Sequence, residues 1–281
     1  MRLGQIKAEG GLLAAVFEGE LVRPVPGYTV ADLIRRSDTE GVPLAKTVAR
    51  LASKHAEAGT PVLPIIPPEV WACGCTYEMS ASFRDSEHGT REGMYAYVYT
   101  HPRPEIFFKG TARVCVGSGQ CIGIRKDSSF TAPEPELALI LGSKGNIVGY
   151  TLANDVSAWD IERENALYLP QSKVYSACCA LGPAIVTADD IPDPYKLEMT
   201  CTITRDGQQR YSGSVSTAKL GRRFEELIEY LLRANHVPAG TVLLTGTGII
   251  VPEEAALAAG DVVSIGIPEI GVLTNTAAVV Q

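Results

Sequence analysis

Short apolar runs broken by turns, rather than long helical stripes, dominate the chain. Residues 12–17 and 21–25 flank Glu18-Gly19-Glu20, which predicts a hairpin. Helical spacing follows over residues 30–36 and again over 44–58, where Leu44, Val48, Leu51 and Ala52 share a face, His55 sits one turn beyond Leu51 and Gly59 is the stop. The four prolines in residues 61–68 read as a linker. Residues 69–78 then predict a buried strand breaking into a polar segment. Residues 79–99 mix charge and aromatics without clean periodicity, so the pattern allows either a lid or a solvated excursion.

Residues 103–109 form a short strand with an ionisable residue at each end, and β segments continue to residue 125. The apolar run 137–141 predicts a buried strand, and a second run, 149–156, ends at Asn154-Asp155. Residues 159–165 read as helix or loop, and Asp206-Gly207 between two strand-like runs is a hairpin signal. One long amphipathic helix is predicted over 217–233, with Leu220, Phe224, Leu227, Ile228 and Leu231 at helical spacing. Strands return over 242–248, 262–267 and 272–280. Strands in runs with few helices between them predict an α+β, mainly β fold rather than a doubly wound sheet. The expected division is a small N-terminal α+β domain over residues 1–67 and a larger domain over 68–281.

Composition narrows the partners. The 281 residues are 46% hydrophobic and 20% charged, with mean hydropathy +0.08, which fits a globular chain able to bury a sizeable core. Net charge −7 and a pI near 5.2 exclude nucleic-acid backbones and anionic membranes as expected partners. A small anionic substrate stays compatible if a few cations gather in its pocket. The start of the chain lacks an apolar signal region, and no run of 18 apolar residues occurs, so a cytoplasmic protein is expected. Seven cysteines without a CxxC pair read as reduced thiols and argue against a zinc site.

Candidate chemistry begins where Glu134 and Glu136 enter the 137–141 run. In an extended chain the i, i+2 spacing puts both carboxylates on one face about 7 Å apart. A divalent cation between them would relieve their repulsion. A solvated strand end, with Pro133 and Pro135 breaking an edge, is the other reading, and spacing alone allows both. Asp155 could supply a third oxygen, and an all-oxygen site suits Mg²⁺, Mn²⁺ or Ca²⁺.

The ordered series Glu134-Pro135-Glu136-Leu137-Ala138, Gly149-Tyr150, Asn154-Asp155-Val156, Lys173, Leu181-Gly182-Pro183, Thr245-Gly246-Thr247-Gly248 and Gly260-Asp261-Val262-Val263 resembles the fumarylacetoacetate hydrolase family over about residues 70–281. The resemblance implies a mixed β-roll core with the site at its mouth, a smaller N-terminal domain, and assembly as a homodimer or homotetramer. It also implies Mg²⁺ or Mn²⁺ held by Glu134, Glu136 and Asp155.

Departures from the family pattern bear on the reaction. Many hydrolases of the family activate water with a His and a Glu on the lid, and the aligned positions here are Ser80 and Phe83. His88 is either a substitute or a surface residue. Trp159 stands where the family usually has Arg before Asp160. Residues 103–109 and 167–175, with Cys178-Cys179-Ala180, look most like family members that dehydrate 2-keto-3-deoxy sugar acids.

The expected activity is therefore Mg²⁺-dependent dehydration of such an acid, a pentonate, to a 2,5-dioxo acid such as 2-oxoglutarate semialdehyde. Lys173 is the candidate to stabilise the enolate or move the C3 proton. Glu105 is either a second proton-transfer group or one half of an ion pair with Lys109 or an arginine. Arg84 would bind the substrate carboxylate or hydroxyls from the lid, or is simply an exposed arginine. Thr247 would offer a hydroxyl and backbone N–H groups to substrate oxygens, its glycine flanks being open to a plain turn reading. An acylpyruvate-type hydrolase or oxaloacetate decarboxylase, with His88 or Glu87 as base, is the alternative. A non-catalytic metal-binding oligomer is the third.

Overall fold

A computed structural model describes residues 1–78 and 94–281. Strand β1 (Arg2–Ala8) leads into the predicted hairpin of β2 (Gly11–Glu18) and β3 (Leu21–Val25). Helix α1 (Val30–Glu40) starts at a capping box: the Thr29 hydroxyl accepts from the Asp32 N–H at 3.2 Å and Asp32 accepts from the Thr29 N–H at 2.9 Å. It ends at Gly41, whose φ of 64° is the left-handed cap glycine favours.

Helix α2 (Leu44–Leu51) is shorter than the 44–58 helix expected, because Ala52 turns extended and the Ser53 N–H donates to the Pro24 carbonyl. His55 thus lies outside the helix, and the chain pairs with β3 as β4 (Glu57–Ala58). Competing long-range hydrogen bonds overrode local periodicity.

Strand β5 (Val70–Gly74), helix α3 (Met94–Thr100), β6 (Glu105–Gly110), β7 (Cys115–Val116), β8 (Cys121–Arg125) and β9 (Thr131–Ala132) precede the central pair. That pair is β10 (Pro135–Leu141) and β11 (Ile147–Asp155), followed by β12 (Ser157–Ala158), α4 (Trp159–Glu164), α5 (Leu169–Lys173) and β13 (Cys179–Thr187). Among the described residues an eleven-stranded sheet runs β4-β3-β2-β1-β13-β11-β10, continues through β16 (Thr241–Leu244) to β5 and β6, and takes β7 beside β13.

All seven residues of β10 are buried. Alternation divides them between two cores. Leu137, Leu139 and Leu141 pack on the side that holds Ile203, Ile265 and Leu273, while Ala138 and Ile140 join the cluster of Leu33, Ile34 and Val48 from the first two helices. A strand covered on both faces needs a continuous apolar run, and that is how its sequence reads.

The first of these cores is closed by a five-stranded sheet in which β14 (Glu198–Arg205), β15 (Gln208–Ser216), β17 (Val262–Ile267), β18 (Gly271–Val280) and β8 are ordered β15-β14-β17-β18-β8. Asp206 and Gly207 both carry positive φ, 53° and 74°, as the predicted two-residue hairpin requires.

Helix α6 (Phe224–Leu232) occupies only the second half of the predicted 217–233 helix. Residues 217–219 form a single 3₁₀ turn, and the chain then leaves the helical path: the Gly221 N–H donates to the Thr76 carbonyl, and Leu220 bridges to Tyr77. Among the described residues no helix is long and apolar enough to cross a membrane.

Candidate metal centre and active site

The β10–β11 register builds the site. Pro135 pairs with Asn154, so Glu134 falls opposite Asp155, whose N–H donates to the Glu134 carbonyl at 2.9 Å. Period 2 places Glu136 on the same face as Glu134. One carboxylate oxygen from each of Glu134, Glu136 and Asp155 lies within 4.8 Å of the others, and all three residues are buried. A solvated strand end is thereby ruled out.

Two lysines sit against these acids. Lys173 ends the short helix α5, and its Nζ contacts Ser157 Oγ at 2.6 Å, Glu134 Oε1 at 2.9 Å and Asp155 Oδ2 at 3.4 Å, with Glu162 Oε2 at 3.9 Å. Lys109, wholly buried on β6, pairs with Asp155 Oδ1 at 2.5 Å and donates to the Lys173 and Val156 carbonyls. Burial alone would lower its ammonium, but the Asp155 carboxylate overrides this and holds it above its ordinary value. The lysine thus pairs with Asp155 and not with Glu105.

Charge in the cluster does not balance. Glu134, Glu136, Asp155 and Glu162 supply four carboxylates against two ammonium groups, leaving two negative charges among the described residues. Burial, then the charges of Asp155 and Glu134, push the Glu136 carboxyl well above its ordinary value, only partly offset by the Gly246 N–H at 2.5 Å. A carboxylate so placed demands a proton or a cation.

The donor set fits a hard divalent ion. Ligand oxygens around Mg²⁺ lie at most about 4.2 Å apart, twice the 2.0–2.1 Å bond, so a small closure of this triad completes three positions. Glu134, Glu136 and Asp155 would hold the ion.

Two further predicted residues, Glu105 and Thr247, are among those described. Residues Glu105, Phe107 and Lys109 alternate onto one face of β6, with the Phe107 ring 5.8 Å from Lys173 Nζ. Glu105 is half-buried, pairs with Gly74 in the sheet and accepts from Cys75 Sγ at 3.5 Å. A Cβ at position 74 would overlap its carboxylate, so the glycine there makes room for the acid.

Thr247 is buried, and its hydroxyl is engaged with the Ile249 backbone at 3.2 Å. Its neighbour Gly246 contributes more directly, with φ of 90° and a Thr76 hydroxyl packed where a Cβ would go. That geometry aims its N–H at Glu136. A cavity of about 390 Å³ beside this loop is lined by Tyr77, Glu78, Val215, Lys219 and Gly248. Among the described residues the buried Tyr77 hydroxyl has no hydrogen-bond partner. Arg84, with Ser80, Phe83, Glu87 and His88, lies outside the described residues.

Three contributors escaped the sequence reading. Lys109 could have been found from its alternation with Glu105 and Phe107, which marks it as inward. Trp159 Nε1 donates to Glu134 Oε1 at 2.7 Å, and Ser157 holds Lys173; neither leaves a periodic signal.

Residues 81–278 match the family described as Fumarylacetoacetate (FAA) hydrolase C-terminal. The 2-dehydro-3-deoxy-D-arabinonate dehydratase of Saccharolobus solfataricus is 50% identical over 75% of this chain and 72% of its own. A probable 2-keto-3-deoxyxylonate dehydratase of Haloferax volcanii is 46% identical over 76% of this chain and 73% of its own. A solved structure of 2-keto-3-deoxy-D-arabinonate dehydratase complexed with magnesium and 2,5-dioxopentanoate superposes with a TM-score of 0.85 at 39% identity, covering 100% of both chains.

Proposed function

The chain belongs to the fumarylacetoacetate hydrolase family, and from that premise we propose that it is a Mg²⁺-dependent hydro-lyase converting a 2-keto-3-deoxypentonate to 2,5-dioxopentanoate. The observation that carries the reading is the buried triad of Glu134, Glu136 and Asp155, whose carboxylate oxygens converge within 4.8 Å, with Lys173 on its rim. The two dehydratases above are named for different sugars, yet the 2-oxo and 3-deoxy positions erase the stereocentres at C2 and C3. Acids derived from D-arabinose and D-xylose then become one compound.

When bound, Mg²⁺ supplies Lewis-acid polarisation of the 2-oxo acid, which acidifies the C3 proton. The chain's own groups handle the protons. Lys173, held by Ser157, Glu134 and Asp155, faces the substrate's oxo end and exchanges the C3 proton there. Loss of the C4 hydroxyl as water leaves a 3-ene, and moving a proton from C5 to C3, then one from the C5 hydroxyl to C4, gives the aldehyde. A second proton-handling group is needed for the far end. Glu105, two residues along the β6 face from Phe107, takes that role.

Tyr77 and the Thr247 loop line the cavity and offer donors to substrate oxygens. Arg84 is the proposed partner of the substrate carboxylate. Lys109 pairs with Asp155 and holds its carboxylate in place.

A cytoplasmic location accompanies this reading, supported by seven cysteines with no disulfide. Assembly as a homodimer or homotetramer does too, supported by exposed Phe108, Val272 and Val279.

The test is to incubate the purified protein with Mg²⁺ and each C4 epimer of 2-keto-3-deoxypentonate and measure 2,5-dioxopentanoate. Turnover that EDTA abolishes is expected. No product from either epimer overturns the assignment.

A further inference from the structure

The two tryptophans of the chain make the same bond in different surroundings. Trp71 Nε1 donates to Glu69 Oε2 at 2.9 Å, and Trp71 is only half-buried. Trp159 Nε1 donates to Glu134 Oε1 at 2.7 Å, and both partners are buried. The second bond ends on a carboxylate of the metal triad. Glu134 Oε1 thus receives two donors, the Trp159 N–H and the Lys173 ammonium at 2.9 Å. A carboxylate oxygen held by two such donors fixes the rotation of the whole group.

The indole is itself clamped. The Phe130 ring lies 5.4 Å from it and the Arg163 guanidinium 5.8 Å above it, while Arg163 pairs with Glu253 at 3.0 Å. The Trp159 N–H bonds to the Phe130 carbonyl at 2.8 Å through its backbone. A side chain packed between two neighbours, on a backbone that is itself anchored, can set the direction of what it touches.

Its chemistry also suits the charge of the cluster. An indole N–H donates without bringing charge, so Glu134 is oriented with no further cation added to the cluster.

We propose that Trp159 is a positioning residue for the metal: its indole N–H orients Glu134 for coordination, and the strength of Mg²⁺ binding depends on that bond. The inference rests on the metal reading above. Partners of metal ligands that do not themselves touch the ion typically change affinity by about 10- to 100-fold when removed.

Nuclear magnetic resonance of the metal-free protein labelled with ¹⁵N at the indole nitrogens gives the test, with Trp71→Phe assigning the two signals. On titration with Mg²⁺ alone, the Trp159 N–H resonance is expected to move along the binding curve while that of Trp71 stays. Calorimetry on Trp159→Phe, which keeps a ring in the clamp but loses the donor, is expected to show Mg²⁺ bound about tenfold more weakly. Mg²⁺ bound by the wild type with a silent Trp159 signal, or with unchanged affinity in Trp159→Phe, overturns the positioning role and leaves the metal reading standing. No Mg²⁺ uptake by the wild type overturns both. If Trp159→Phe does not fold, the wild-type titration alone decides.

Discussion

Two fully buried aspartates in this protein face opposite circumstances. Asp261, in the five-stranded sheet layer, is gripped by Arg205 through both carboxylate oxygens at 2.7 and 2.9 Å and accepts the Ala258 N–H at 2.8 Å. Burial would raise its carboxyl, yet these donors hold it below its ordinary value. Asp155, at the end of β11, is flanked by two lysines and two further carboxylates, and the nearby Glu136 is driven the other way. One acid is matched by one base and finished. The other belongs to a cluster of four carboxylates and two ammonium groups among the described residues, and such crowding marks where a ligand is expected.

The sharpest way to break this contrast is to remove charge from the crowded side. Glu136→Gln is expected to lower turnover on the order of a thousandfold, through lost Mg²⁺ and several kcal/mol of barrier. Its metal-free form should melt no lower than wild type, because a repelled carboxylate has gone. A lower melting temperature would mean that Glu136 is structural.

Lys173→Met comes next, with kcat down roughly 10²- to 10⁴-fold as expected for a lost proton-transfer group. Mg²⁺ binding measured by calorimetry should persist, since a cation has left the cluster. Loss of both together would place Lys173 in the structure of the floor instead.

On the matched side, Asp261→Asn should cost about 2 kcal/mol of stability in denaturant unfolding, discounted from a fully buried pair because Arg205 is a third exposed. Activity per folded molecule should not change.

The smallest effect is on pH, where the two sites have opposite signs. Glu136 has a folded value above its ordinary 4.5, so its contribution is complete below that and is lost as pH rises toward the folded value. Asp261 has a folded value below 3.8, so its contribution is present above 3.8 and lost as pH falls through the folded value. Mg²⁺ at a hundred times its Kd adds about 2.7 kcal/mol to whichever form binds it. Its effect on melting should therefore be larger at pH 8 than at pH 5, and an equal effect at both would count against Glu136 as a ligand.

The acidic floor was legible because antiparallel pairing turns two short motifs, twenty residues apart, into one face. Glu134, Glu136 and Asp155 could be nominated from spacing and resemblance before their register was known. Lys109 was harder, since a lysine closing an apolar strand reads as its solvated end. The 217–233 helix was overextended for another reason. Leu220 keeps helical spacing with Phe224, but Gly221 is hydrogen-bonded to Thr76, a partner almost 150 residues away that no local pattern contains. Arg84 and residues 79–93 of the lid segment fall outside the described residues, so their roles rest on the proposal.

Strand β10 contributes side chains to both hydrophobic cores, and it carries Glu136 at its second position. Amide hydrogens along this strand should then exchange with solvent only when the whole chain opens, not through local breathing. The floor of the site shares the lifetime of the fold, so metal entry and exit must be timed by whatever covers the floor and never by the floor itself.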